Sequence, residues 1–368
     1  MGEMTGYIQA IGTALPPYAT EQQKIADFMI RHLRLNESEE KALRVLYRAS
    51  GIQKRYSVLE DFGKNLNGQH FFKEHMDFPT AKPRMDVYQK HAIRLATVAC
   101  SHALSQSGTS ADQVTHLITI SCTGMYAPGL DIELIEEMGL KTDVKRTSIN
   151  FMGCYASFNG LKMADQIVRS DASANVLMVS VELCSIHLQD KTDEDNLLAN
   201  CIFGDGAAAV VIGATPQKNS LQLKNFYSDL SLDGKSEMGW YIGDYGFEMK
   251  LSHRVPEVIK NGIGRLSKRL LDRIDLSIQD IDFYAIHPGG KRILEVIEEK
   301  LGISKEENKP ARDALKAHGN MSSPTVLFVI KSIMDNLTEE DEGKHLLSFA
   351  FGPGLTLESA VLKVTHHA

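Results

Sequence analysis

Three polar residues stand where regular elements meet, and their types could do acyl-transfer chemistry together. Cys154 lies in "NFMGCYASFNGLKMADQI" (150–167), which reads as a short strand, a turn at Gly153 and then a helix. The unpaired amides and the dipole at a helix start favour an anion. A thiol there is expected to ionise below the ~8.5 of a free cysteine; the plainer reading is a small buried core residue. His287 ends an apolar strand in "FYAIHPGG". The two glycines after it let a ligand come close to the backbone, although many strand-end histidines are only satisfied core residues. Asn320 in "AHGNMSSPTVLF" precedes an apolar helix. A helix cap explains it equally well, and Pro324 near the helix start fits that reading too. Taken together, the three suggest a nucleophile, a base and an amide donor to an oxyanion. Residue chemistry alone leaves two enzymes open: a Cys-His-Asn hydrolase and a thioester-forming condensing enzyme.

The elements that must position these residues alternate in kind. "VTHLITISC" (114–122), "KRTSINF" (145–151), "NVLMVSVE" (175–182) and "AAAVVIGA" (207–214) read as mostly buried strands. "GLDIELIEEMGL" (129–140) and "YASFNGLKMADQIVRS" (155–170) carry helical spacing. The second half repeats the theme from "IDFYAIHPGG" (281–290) to "HLLSFAFGPGLTLESAVLKVT". Alternating strands and helices predict an α/β class, and strand–loop–helix sets near 115–140 and 282–302 hint at a coarse duplication. Residues 215–220, "TPQKNS", are the best boundary, giving halves at 1–214 and 215–368. The charged and aromatic stretch 52–92 resembles neither half and reads as an inserted cap region.

Composition narrows the function classes. The chain has 368 residues, 43% of them hydrophobic, enough for one large core or two fused ones. No run of roughly 18 apolar residues occurs, and the start "MGEMTGYIQAIGTALPP" shows no basic segment followed by an apolar one. Cys100, Cys122, Cys154, Cys184 and Cys201 are odd in number and lack CxxC spacing, which argues against a disulfide framework and a zinc site. A reducing cytoplasm is the expected location. A net charge of -7 lacks the basic bias of a nucleic-acid binder. An anionic ligand would therefore need a local basic patch.

At this point the motifs resemble a known family. "GCYAS" around Cys154, "FGDGAAAVV" (203–211), "HPGG" (287–290), "GNMSS" (319–323) and "FGPGL" (351–355) stand in the order found in type III polyketide synthases, the chalcone-synthase-like branch of the thiolase superfamily. "SCTGMYAPG" and "VELCSIHLQ" look more like its microbial members. The resemblance runs from about residue 5 to 365. It implies a thiolase-like five-layered αβαβα sandwich of two similar halves, and a homodimer. It also implies Cys154, His287 and Asn320 as catalytic residues and Phe203 as a cavity gatekeeper. Cys122, Thr123, His187, Trp240, Met249 and Ser322 fall at cavity-lining positions, and Lys54, Arg55 and Arg292 at CoA-binding ones.

The activity implied is iterative. An acyl-CoA starter is loaded on cysteine, malonyl-CoA loses carbon dioxide and extends it, and the chain cyclises. No metal, redox cofactor, acyl carrier protein or nucleic acid is called for. The indole of Trp240 favours a flexible medium or long fatty acyl starter over a rigid aromatic one, with alkylpyrones or alkylresorcinols as products. Two alternatives share the motifs. A ketoacyl synthase III-like initiation enzyme would run one round on a carrier protein, but usually has Gln-Ala-Asn after the histidine. A non-catalytic thiolase-fold partner subunit would typically have lost the cysteine.

Overall fold

In the computed structural model, residues 4–64, 68, 70–73 and 78–366 are described. The first half runs β1 (Tyr7–Ala14), β2 (Tyr18–Glu21), α1 (Gln22–His32), α2 (Glu37–Ala49), β3 (Lys54–Ser57), α3 (Ala81–Ser107), β4 (His116–Ser121), α4 (Leu130–Met138), β5 (Lys145–Asn150), α5 (Ala156–Ser170), β6 (Val176–Leu183), α6 (Glu194–Ile202) and β7 (Asp205–Gly213). The second half runs β8 (Ser220–Leu230), β9 (Met238–Gly243), β10 (Gly246–Leu251), α7 (Val255–Asp272), β11 (Phe283–Ile286), α8 (Lys291–Leu301), α9 (Lys309–His318), α10 (Thr325–Met334), β12 (His345–Gly352) and β13 (Thr356–Thr365).

Nine strands form one mixed sheet in the order β11-β12-β13-β8-β1-β7-β6-β4-β5. The same pattern leaves its middle in both directions. From β1, the strands β7 and β6 follow antiparallel, and then β4 and β5 run parallel to β6. From β8, the strands β13 and β12 follow antiparallel, and then β11 runs parallel to β12. The halves join where Tyr7 and Ile8 pair with Gln222 and Leu221. The duplication hinted at near 115–140 and 282–302 is therefore β4–α4 and β11–α8.

The helices divide by composition. α10, "TVLFVIKSIM", is apolar nearly all round, as a helix with neighbours on every side must be. It packs on β11 and also on β1 and β7, while α5 packs on β4 to β7 and on β13. These two helices thus lie between the halves. α3 and α4 cover the outer face of the first half, and α7 and α8 that of the second, which gives the αβαβα layering. Strands β4, β6 and β7 are buried along their whole length, because both of their faces are covered.

The segment 52–92 is not one inserted unit. β3 pairs with β2, and 81–92 are the first turns of α3, the long helix that packs on β1, β6 and β7. Lys82, Asp86 and Lys90 lie on the solvent side of that helix start, while Arg84 is fully buried and donates to the Pro79 and Leu188 carbonyls. Residues 65–67, 69 and 74–77 of this segment lie outside the described ones.

This architecture brings chemistry to one end. The carboxyl ends of the parallel strands β4, β5 and β11 lead to Cys122, Cys154 and His287, the usual ligand side of such strands. The packing depends on close approach at Gly12, where a Cβ would meet the Ala99 carbonyl oxygen at 2.2 Å and the Ala103 nitrogen at 2.4 Å. Gly12→Ala is expected to destabilise the protein by about 1–3 kcal/mol, as overpacking does. Denaturant unfolding checks this, and an unchanged midpoint would contradict the contact.

Candidate active site

Cys154 is reached through a forced turn. Phe151 has φ 59° and Gly153 φ 78°, in the left-handed region that favours glycine. A Cβ on Gly153 would also meet Pro353 Cδ at 2.6 Å, so the "GCY" turn and "FGPGL" are packed as one piece. A 3-10 turn over Gly153–Tyr155 then leads into α5. His287 follows β11, its backbone N–H donating to the Phe349 carbonyl of β12 at 2.8 Å. Neither of its ring nitrogens has a protein partner, although the ring is buried.

Asn320 is held by both its backbone and its side chain. Its N–H donates to the Ile202 carbonyl, and its own carbonyl accepts from Gly204 N–H, both at 2.9 Å. Asn320 Oδ1 accepts from Ser322 N–H at 2.8 Å. Nδ2 is thereby turned the other way, 3.3 Å from the Gly289 carbonyl and 4.0 Å from Cys154 Sγ. The asparagine is not an ordinary N-cap: α10 begins at Thr325 behind Pro324, with no side-chain cap.

Cys154, His287 and Asn320 open on one cavity of about 280 Å³, near the lower end of the ~300–1,000 Å³ of pockets that hold small molecules. Phe203, Cys122, Thr123, His187, Trp240, Met249 and Ser322 line it as well. One wall is the β9–β10 hairpin. Trp240 Nε1 donates to the Cys122 carbonyl at 2.6 Å. His187 sits between the hairpin and the Cys122–Thr123 loop: Nδ1 accepts from Phe247 N–H at 2.9 Å and Nε2 donates to the Thr123 carbonyl at 2.7 Å. Its ring stacks on Phe247 with centroids 4.4 Å apart. Burial lowers the His187 pKa to about 3, so the imidazole is neutral and its tautomer follows from its two partners.

The basic residues are arranged differently from expectation. Lys54 does not line the cavity; its ammonium lies 5.3 Å from the Tyr56 ring centroid. Arg55 lines the cavity, but its guanidinium points inward, donating to the Phe203 carbonyl at 2.6 Å and to Gln22 Oε1 at 2.9 Å. Alternation in β3 buries Arg55 and leaves Lys54 half exposed, a pattern that two adjacent cations conceal. Arg292 stands exposed at the mouth, paired with Glu295 at 3.2 Å. Lys291 beside it lines the mouth too and was not singled out.

Sequence reasoning also missed Glu182, a buried carboxylate in β6. It accepts from Cys122 N–H at 3.0 Å, from Thr123 Oγ1 at 2.7 Å, from Cys122 Sγ at 3.2 Å, and from Ser323 Oγ. Burial raises its pKa while these donors lower it. One carboxylate inside the apolar run "NVLMVSVE" was the available signal, since a buried acid needs partners.

Burial is also the largest effect on Cys154 and His287, and it opposes the helix-start dipole at the thiol. It pushes the Cys154 thiol up to about 11, against the pull of the Ser322 hydroxyl and the Asn320 side chain. It pushes His287 down to about 3. Burial therefore disfavours a charge on either residue alone.

Together, the sandwich and a cysteine, histidine and asparagine on one cavity define a thiolase-like condensing enzyme. Comparison with known proteins narrows this. Residues 2–216 match the N-terminal domain of chalcone and stilbene synthases and residues 228–365 the C-terminal domain. The chain belongs to that family and is a type III polyketide synthase, an acyltransferase. It is 30% identical over 362 residues to the alpha-pyrone synthesis polyketide synthase-like Pks18 of Mycobacterium tuberculosis, covering 97% of this chain and 91% of that protein. Probable polyketide synthase 1 of Dictyostelium discoideum is 31% identical over 367 residues, 97% of this chain but 11% of that much longer protein. Among solved structures, PKS-I from the brown alga Ectocarpus siliculosus superposes with a TM-score of 0.92 at 28% identity, covering 99% of this chain and 100% of that one. The C-terminal type III polyketide synthase domain of Steely1 from Dictyostelium gives 0.90 at 29% identity, covering 98% of this chain and 99% of that one.

An imidazolium at His287 would steady a Cys154 thiolate, and removing the ring should leave burial opposed by the Ser322 hydroxyl and the Asn320 side chain. In His287→Ala the midpoint of Cys154 alkylation by iodoacetamide is expected to move to higher pH, by more than one unit. A midpoint equal to that of the wild type would separate His287 from the thiol.

Proposed function

We propose that the chain loads an acyl-CoA starter on Cys154 and extends it with malonyl-CoA. The observation that carries this reading is the opening of Cys154, His287 and Asn320 on one buried cavity. Cys154 Sγ attacks the starter carbonyl, and the bond to the CoA sulfur breaks. CoA leaves as the thiol, with the proton that His287 took from Cys154. Malonyl-CoA then loses carbon dioxide, and the electron pair moves onto the thioester oxygen. His287, whose ring nitrogens have no protein partner, and Asn320 Nδ2 are the donors to that oxygen. The enolate carbon attacks the acyl-enzyme, and Cys154 leaves as thiolate. The product is a β-ketoacyl-CoA two carbons longer, ready to reload. Because decarboxylation drives each step, the scheme uses no metal or redox cofactor and no acyl carrier protein. A dry cavity suits it, because water would hydrolyse the acyl-enzyme.

The starter in this reading is a medium or long fatty acyl-CoA, and the product an alkylpyrone or alkylresorcinol. Trp240 lies along the wall with its indole nitrogen on the Cys122 carbonyl, which narrows the chamber for a rigid aromatic acid. Ile25, Leu46, Phe62, Ile202 and Phe203 also line the cavity and offer an apolar surface to a flexible chain. The alpha-pyrone role named for the Mycobacterium relative supports the same choice. Arg292 and its neighbour Lys291 are the cations at the mouth for the CoA phosphates.

A homodimer belongs to the proposal. β5 ends the sheet with one edge unpaired, and its exposed residues alternate with half-buried Thr147 and Ile149. Such an edge is a template for a second strand. Five free cysteines suit a reducing cytoplasm, and no helix among the described residues is long and apolar enough to cross a membrane.

Two measurements test the chemistry. Cys154→Ala should form no acyl-enzyme by mass spectrometry and no polyketide, yet still release carbon dioxide slowly from malonyl-CoA, since His287 and Asn320 remain. Polyketide at the wild-type rate would refute the nucleophile. Across starters from acetyl- to palmitoyl-CoA, kcat/KM should rise with length. Each buried CH₂ contributes about 0.8 kcal/mol, so four give roughly 3 kcal/mol, more than two powers of ten. A flat series, or a preference for an aromatic starter, would overturn the fatty acyl assignment.

A further inference from the structure

We propose that Arg55 and Gln22 form a clamp that positions both the cavity gate Phe203 and the oxyanion donor Asn320. The proposal rests on the roles assigned to those two residues above. It replaces the expected contact of Arg55 with a CoA phosphate.

The clamp acts on the end of α6. The last carbonyls of a helix have no partner within it, and here three successive ones are taken from outside. Gln22 Nε2 donates to the Cys201 carbonyl at 2.7 Å. Asn320 N–H donates to that of Ile202 at 2.9 Å. Arg55 Nη1 donates to that of Phe203 at 2.6 Å. Arg55 Nε in turn donates to Gln22 Oε1 at 2.9 Å, which ties the two side chains together. A cation at this end of a helix also complements its dipole.

Shape adds a second constraint. Arg55 is 7% exposed, with its guanidinium carbon 5.8 Å from the Tyr47 ring centroid. A Cβ on Gly319 would come within 2.9 Å of Arg55 Cγ and 3.0 Å of Cδ, and one on Gly204 within 3.5 Å of Arg55 Cβ. The arginine stem therefore fills the space under Gly204 and Gly319, the neighbours of Phe203 and Asn320. Gly204 N–H and the Asn320 carbonyl bond to each other across this space at 2.9 Å. Loss of the guanidinium leaves the Phe203 carbonyl unpaired and the backbone on either side unsupported. Cys154, on the turn before α5, is not among the groups that Arg55 touches. The clamp thus acts on enolate formation and on the gate, and not on the nucleophile.

The test uses the full chain and three readouts: carbon dioxide release from malonyl-CoA, iodoacetamide alkylation of Cys154, and thermal unfolding. Arg55→Ala is expected to lower kcat for decarboxylation by about 10²-fold, the effect of a misplacement of roughly 1 Å, while Cys154 alkylation stays near the wild-type rate. Free guanidinium ion should restore part of kcat. Arg55→Lys should not, because an ammonium cannot reach Gln22 and Phe203 as a fork does. Gln22→Leu keeps the arginine stem in place and should lower decarboxylation with little change in unfolding temperature. This second variant decides the matter if Arg55→Ala does not fold. Unchanged decarboxylation in Gln22→Leu, or equal loss of decarboxylation and alkylation in Arg55→Ala without rescue, would overturn the clamp. A wild type that releases no carbon dioxide would instead overturn the extender assignment, and the clamp with it.

Discussion

Ile202, Gly204 and Asn320 meet in two backbone hydrogen bonds, and the active site hangs on that join. Asn320 N–H reaches the Ile202 carbonyl, and Gly204 N–H reaches the Asn320 carbonyl, both at 2.9 Å. One partner ends α6 and opens β7 in the first half; the other precedes α10 in the second. The join places Phe203 beside the asparagine and brings both to the cavity that holds Cys154. Gly204 and Gly319 flank it because the Arg55 stem and the chain itself come too close for side chains. Few contacts set so many distances at once.

Dryness is the second constraint. Burial disfavours a charge on either Cys154 or His287 alone. The polar groups that must be inside are caged. Glu182 takes its donors from Cys122, Thr123 and Ser323, so one carboxylate holds the loop after β4 against the start of α10. Unpaired, it would cost several kcal/mol; paired, it holds cavity-lining Cys122 and Thr123 in place.

The chamber wall is borrowed across the halves. β9 and β10 belong to the second half, yet Trp240 and Phe247 bond to the Cys122 carbonyl and to His187 of the first. Gln189 adds donors to the Tyr245 carbonyl at 3.0 Å and the Phe247 carbonyl at 3.2 Å. A hairpin alone is marginal in water; these bonds make it a wall. The wall thus depends on a few side chains, while the positions of Cys154 and His287 depend on the sheet.

The sequence by itself determined the alternation of elements and singled out three residues that the structure places on one cavity. Buried strands such as "NVLMVSVE" and a helix such as "TVLFVIKSIM" declare themselves because period and composition are local properties. Cys154, His287 and Asn320 were legible because each sits beside glycine, proline or serine at a loop, and five motifs in order name a family. The division of labour among charged residues was not legible. Lys54 and Arg55 are neighbours of like charge, but alternation along β3 sends Arg55 beneath Phe203 and leaves Lys54 over Tyr56. The first turns of α3 read as part of a cap, because exposed Lys82, Asp86 and Lys90 and the buried cation Arg84 together look like a charged loop. The ionisation of Cys154 could not be read either, since a helix start is visible in sequence and burial is not. Only the tertiary structure decided these points. Burial, partner and distance are set by residues far apart in the chain, and burial pushes the Cys154 thiol up where the helix start alone would pull it down.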